Sequence, residues 1–165
     1  MIICGIDPGT ATTGYGIIEK HGSSLQCISY GSIKTELFLS PAKRLNKLFN
    51  ELNKLFRKYQ PKIVGTETIY FFKNAKTAIH VSEARGVILL AAAKKNFLIK
   101  EYTPLQIKMN VCGYGRAKKK QVQKMVKEIL NLEEIPEPDD AADALAIALC
   151  VAYEKDIFKQ RGENE

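Results

Sequence analysis

Apolar residues along this chain recur with a period near two in some stretches and near 3.6 in others, and the change of period marks strands from helices. Ile2 to Ile6 is a short apolar run closed by Asp7-Pro8-Gly9, a turn signal, and reads as a first strand. Gly14–Glu19 and Leu25–Lys34 read as the second and third strands. The polar link His21-Gly22-Ser23-Ser24 suits an antiparallel connection between them. Ser40-Pro41 then has the form of an N-cap followed by a first helical residue, and Leu45, Leu48, Phe49, Leu52, Leu55 and Phe56 follow at helical spacing. A fourth strand is expected over 62–67.

Asn74 is placed to cap a second helix over 75–95, which contains the apolar run Val87–Ala93. Phe97–Tyr102 reads as a fifth strand, and Thr103-Pro104 opens a short helical turn. Gly113 and Gly115 mark a loop, after which a basic amphipathic helix (118–131) and a last helix (139–153) complete the pattern. Three consecutive strands imply an antiparallel meander, and strands alternating with helices imply parallel neighbours. The expected fold is therefore α/β, a mixed five-stranded sheet flanked by helices. No internal repeat or linker divides the chain, so a single domain is expected over 1–155, with a fraying polar tail at 156–165.

Composition agrees with one globular core: 165 residues, 45% hydrophobic and 26% charged. The formal net charge of +7 changes the picture, because it suits an anionic partner, nucleic acid before an acidic membrane surface. Cys4, Cys27, Cys112 and Cys150 lack metal-finger spacing and sit in or beside apolar stretches, as free thiols in a reducing compartment do. The N-terminus lacks the pattern of a signal peptide and no apolar window is long enough to span a membrane, so a cytoplasmic protein with no membrane partner is expected.

The candidate chemistry lies in four acids. Asp7 and Glu67 stand where the first and fourth strands end, and open α/β sheets place their ligands at the carboxyl ends of strands. Asp140 and Asp143 lie three apart at the start of the last helix and so share one of its faces. Each acid has an ordinary structural reading: Asp7 as a turn former, Glu67 as an exposed strand end, Asp139 or Asp140 as a helix cap. Asp143 resists such a reading, because Ala141, Ala142, Ala144 and Leu145 surround it. Four carboxylates without histidine are hard oxygen ligands, suited to Mg²⁺ or Mn²⁺ rather than zinc. Two such ions about 4 Å apart promote phosphodiester hydrolysis by activating water and stabilising the leaving oxygen.

These residues sit in recognisable motifs. GIDPGTATTGYG at 5–16, ETIYFFKN at 67–74, ARGV at 84–87 and DDAADALAIAL at 139–149 resemble the RuvC family of Holliday-junction resolvases, in that order. The likeness continues through PLQIK at 104–108 and KKQVQKMV at 119–126 and so covers nearly the whole chain. It implies a ribonuclease-H-like fold and a homodimer that resolves four-way junctions by symmetric paired nicks in recombination and repair. It also implies Mg²⁺, two ions per active site, and a branch-migration complex (RuvA–RuvB) as partner. The catalytic and metal-binding roles fall on Asp7, Glu67, Asp140 and Asp143, while Asp139 reads as incidental.

The resemblance further implies DNA contacts. The family's aromatic three residues after the central Glu is Tyr70 here, which can stack on an unpaired base. Phe71 and Phe72 follow it, one of them packing inward, and Lys73 and Asn74 are candidates to touch the strand near the scissile bond. Lys108 and Lys119 match the family's phosphate-contacting lysines, and Arg116, Lys118, Lys120, Lys124 and Lys127 thicken that patch. Two rival readings exist. Gly5-Ile6-Asp7-x-Gly9 also resembles the first phosphate loop of the actin and sugar-kinase class, whose proteins use two such lobes. The other rival is a binder without catalysis, or a relative acting on another nucleic acid.

Overall fold

In a computed structural model, residues 1–68 and 75–154 are described, and they form the expected sheet. In chain order the elements are β1 (Ile2–Asp7), β2 (Thr12–His21), β3 (Ser24–Lys34), α1 (Pro41–Tyr59), β4 (Ile63–Glu67), α2 (Ala75–Ala93), β5 (Leu98–Tyr102), α3 (Pro104–Cys112), α4 (Lys119–Ile129) and α5 (Asp139–Tyr153). The sheet order is β3-β2-β1-β4-β5. β1 to β3 form the antiparallel meander, and β4 and β5 run parallel to β1. Tyr70, Phe71, Phe72, Lys73, Asn74 and the polar tail lie outside the described residues, so what the sequence implies for them stays an expectation.

Side chains on a strand alternate between the two faces of the sheet, and here the alternation separates two cores. Ile3, Ile18 and Ile63 pack with α5, α3 and α4 on one face. Cys4, Ile6, Ile17 and Val64 pack with α1 and α2 on the other. α5 lies across β1, β2, β3 and β4 with an unbroken buried stretch from Ala144 to Ala152. It can lie that close because the sheet beneath it carries glycines. A Cβ on Gly16 would come within 2.8 Å of Leu145, and one on Gly65 within 2.7 Å of Val151. On Gly5 it would meet the Ala148 nitrogen at 2.6 Å and overlap the Ala144 carbonyl oxygen. These glycines set the height of α5 above the sheet.

Some local readings are revised. The expected turn after Thr103 is a nine-residue helix, because Thr103 and Gln106 close a reciprocal cap: Gln106 N donates to Thr103 Oγ1 (3.1 Å) and Thr103 N to Gln106 Oε1 (2.8 Å). Ser40 is the N-cap of α1, although its hydroxyl makes no cap bond. Pro138 is the N-cap of α5, so neither Asp139 nor Asp140 has that role. All four cysteines are free. No helix among the described residues is long and apolar enough to cross a membrane.

Candidate active site

Register decides where the acids of the strands point. β1 pairs with β4 so that Ile6 lies beside Thr66, which puts Asp7 next to Glu67 at the carboxyl ends of adjacent strands. Ile3 and Ile63 face α5, and Asp7 and Glu67 lie four residues further on, so by alternation they face α5 as well. On the other flank Asp7 pairs with Gly14. A Cβ on Gly14 would overlap the Asp140 carbonyl oxygen and come within 3.0 Å of the Asp140 Cβ. The bare backbone of Gly14 thus lets the first turn of α5 settle beside Asp7, and Asp140 and Asp143 arrive with it.

The acids feel one another's charge. Burial first, then Asp143, Glu67 and Asp140, push the Asp7 carboxyl up to about 8, with Lys119 opposing. Glu67 is raised by burial and by Asp143, with Lys108 opposing. At Asp143 burial outweighs the attraction of Lys119, and its carboxyl is raised too. At Lys119 the balance is reversed: burial works against its charge, but the bonds to Asp143 and Asp139 win and hold the ammonium up. A set of half-buried carboxylates that resist ionising together calls for added positive charge.

Lys119 supplies part of that charge. Its Nζ lies 3.0 Å from Asp143 and 3.2 Å from Asp139. Among the described residues no three acids, histidines or cysteines are gathered closely enough to form a ready cation cage. With Asp143 turned to Lys119, the carboxylates lie near enough to raise the Asp7 carboxyl without closing around a point. Their chemistry nonetheless fits divalent cations: hard anionic oxygens only, partly desolvated, with a charge surplus at the centre.

Beside the acids lies a cleft of about 210 Å³ lined by Glu67, Lys108, Lys119 and Asp143, with Pro104, Ile107, Val122 and Ile147 as its apolar walls. The structure therefore brings Lys108 and Lys119 to the acids. Arg116, Lys118 and Lys120 are exposed around the start of α4. Asp139 is not incidental. Its carboxylate accepts a 2.7 Å bond from Gln123 Nε2 and pairs with Lys119, tying α4 to the first turn of α5. Gln123, a buried amide on an otherwise apolar helix face, was the signal for that tie.

Comparison with known proteins assigns the chain. A sequence model of the family described as crossover junction endodeoxyribonuclease RuvC matches residues 3–151. The crossover junction endodeoxyribonuclease RuvC of Caldicellulosiruptor saccharolyticus is 55% identical over 151 residues, covering 91% of each chain. That of Natranaerobius thermophilus is 53% identical over 150 residues, covering 91% of this chain and 93% of its own. The structure of Thermus thermophilus RuvC in complex with a Holliday junction substrate superposes with a TM-score of 0.88 at 32% identity, covering 93% of both chains. Motif order, fold and these matches agree: the chain belongs to the RuvC family of crossover junction endodeoxyribonucleases.

Proposed function

We propose that the protein resolves four-way (Holliday) DNA junctions, hydrolysing one phosphodiester in each of two symmetric strands and leaving 5′-phosphate and 3′-hydroxyl ends. The observation that supports this reading is that Asp7 lies close enough to Asp143, Glu67 and Asp140 to feel their charge, beside a cleft lined by Glu67, Asp143, Lys108 and Lys119. An anion surplus at the centre suits divalent cations, and a cationic rim suits the phosphates that approach them. Two Mg²⁺ ions, with Mn²⁺ as substitute, would be held by the four carboxylates. When bound they supply the charge that makes water nucleophilic and stabilises the leaving oxygen.

The protein's own groups then have distinct tasks. Asp7, between Glu67 on its parallel neighbour and Asp140 above Gly14, would be the central ligand of the ions. Glu67, Asp140 and Asp143 would supply further ligands. Lys119, paired with Asp143 at the edge of the cleft, would meet a substrate phosphate, and Lys108 would hold the strand beside Glu67. The apolar wall of Ile107, Val122 and Ile147 limits water around the reacting phosphate. Tyr70 and Phe71 stack on unpaired bases, and Lys73 and Asn74 contact the strand near the cut.

Two symmetric nicks call for two symmetric sites, hence a C₂ homodimer. α2 offers a surface for it. Ile79 and Leu90, each 56% exposed, lie eleven residues apart on one side of the helix, and between them a side chain at Gly86 would meet nothing within 4 Å. A second copy of this chain can approach closely there. The branch-migration complex RuvA–RuvB is the proposed loading partner, and the cytoplasm the proposed location.

A nicking assay tests the reading. With Mg²⁺ the protein should cut a synthetic four-way junction in opposite strands and leave linear duplex and RNA–DNA hybrid intact; equal cutting of the hybrid would overturn it. The basic patch adds a second expectation. Junction affinity should fall steeply with salt, and Lys120→Gln should lower the slope of log affinity against log salt by about 1. An unchanged slope would remove Lys120 from the DNA surface.

A further inference from the structure

Leu37 and Phe38 are 79% and 86% exposed, the most exposed large hydrophobic side chains among the described residues. They are the two central residues of the turn Glu36–Leu39, closed by the bond from Leu39 N to Glu36 O (3.2 Å). Such positions favour glycine, asparagine, aspartate and proline, so turn chemistry does not explain an apolar pair. A single exposed hydrophobic side chain is ordinary; two adjacent ones at the apex of a formed turn cost solubility and gain nothing in the isolated fold.

The turn is held firmly, and by the loop that follows Asp7. Thr35 N donates to Ala11 O (3.0 Å), and Thr35 Oγ1 donates to Thr10 O. Arg44 Nε donates to Thr35 Oγ1 (3.0 Å), and Lys47 pairs with Glu36 at 2.5 Å. Arg44 Nη2 is buried without a hydrogen-bond partner. The turn therefore stands at the carboxylate end of the sheet. It leaves β3, two strands from β1, which is a lateral distance of roughly 10 Å at about 4.8 Å per strand. Lys34 and Lys43 flank it and are exposed.

We propose that the Leu37–Phe38 apex is a second DNA-engaging element, in which Phe38 stacks on a base exposed in the open centre of the junction while Lys34 and Lys43 meet the neighbouring phosphates. An aromatic tip among cations is the arrangement that binds unpaired bases irrespective of sequence. At about 3.4 Å per nucleotide, the apex meets bases about three to five positions from the phosphate that faces the acids. It acts in addition to the stacking proposed for Tyr70.

This inference rests on the junction-DNA reading, and one experiment separates the two. In an Asp7→Asn background, which leaves the junction uncut, 2-aminopurine is placed at positions one to six from the cut, and fluorescence and affinity are measured for Phe38, Phe38→Ala and Phe38→Trp. The expected result is a fluorescence change at positions three to five, lost in Phe38→Ala together with about tenfold in affinity and kept in Phe38→Trp. Binding within twofold and an unchanged fluorescence pattern in Phe38→Ala would overturn the inference. So would a shift from dimer to monomer on sedimentation, which would make the apex a subunit contact. Failure of every form to bind a junction would instead sink the junction reading, and the apex with it.

Discussion

Asp7→Asn abolishes nicking, by about a thousandfold or more, while leaving junction binding intact and making the cation-free protein more stable at alkaline pH. The loss in rate, about 4 kcal/mol at 1.36 kcal/mol per tenfold, follows from the position of Asp7 between Glu67 and the α5 acids. An amide keeps the shape but removes the negative charge proposed to hold the metal. Binding should survive because Lys108 and Lys119 remain beside the site. The gain in stability follows from the same crowding. Burial and then Asp143, Glu67 and Asp140 raise the Asp7 carboxyl to about 8, far above the ordinary carboxylate range near 3.8. Between roughly pH 4 and pH 8 the unfolded chain has released this proton while the folded chain still holds it, so rising pH favours unfolding across that window. Above it the folded protein carries a charge it holds poorly, at a cost on the order of a few kcal/mol. Asp7→Asn lacks this slope. Thermal melts in EDTA from pH 5 to pH 9 should show the variant ahead at pH 9 and the two curves converging toward pH 5. Added Mg²⁺ should raise the wild-type melting temperature most at high pH, where cations do not compete with the proton. A parallel pH dependence in wild type and variant would show that Asp7 is not held in a charge-crowded site. Retained nicking would end its catalytic assignment.

The sequence made the elements legible more fully than it did the site. Local periodicity carried β1, the meander, α1 and α5, because their signals lie within single windows: the apolar run before Asp7-Pro8-Gly9, the helical spacing of Leu48, Leu52 and Phe56, and the apolar body after Asp143. That β4 lies beside β1 depends on hydrogen bonds between segments some sixty residues apart, and this order brings Asp7 to Glu67. Strand ends suggested such a meeting; only the register makes them neighbours. The length of α3 was present in the Thr103–Gln106 capping pair but is easily passed over beside a proline. The part of Asp139 depends on Gln123 in another helix, and its only sequence sign is that amide on an otherwise apolar face of α4. The glycines are the clearest case. Gly5, Gly14 and Gly16 look like turn or flexibility residues in a one-dimensional reading, whereas they are where helix backbone meets strand backbone. The Leu37–Phe38 pair has no sequence signal of its own, because its exposure is a property of the turn that carries it.

Close packing at Gly14 leads to the second large effect. Gly14→Ala should lower the melting temperature by roughly 6–12 °C and reduce nicking by about a hundredfold or more, with junction binding largely preserved. The new Cβ would occupy the place of the Asp140 carbonyl oxygen, and both the strand and the helix present backbone there, so no side-chain rotation relieves the overlap. The first turn of α5 must lift or β2 must bend. Overpacking of this kind costs about 3 kcal/mol, and each kcal/mol is worth about 2–4 °C in a domain of this size. Lifting the turn moves Asp140 and Asp143 away from Asp7, and a misplacement of about 1 Å at a reacting centre costs on the order of a hundredfold. Lys108 and Lys120 belong to α3 and α4 and are not displaced directly, which is why binding should outlast catalysis. The measurement pairs calorimetric melting with nicking and junction affinity on the same preparation. Wild-type melting would mean that α5 does not rest on bare strand backbone. Lost stability with undiminished nicking would mean that the height of α5 above the sheet does not set the distance between the acids.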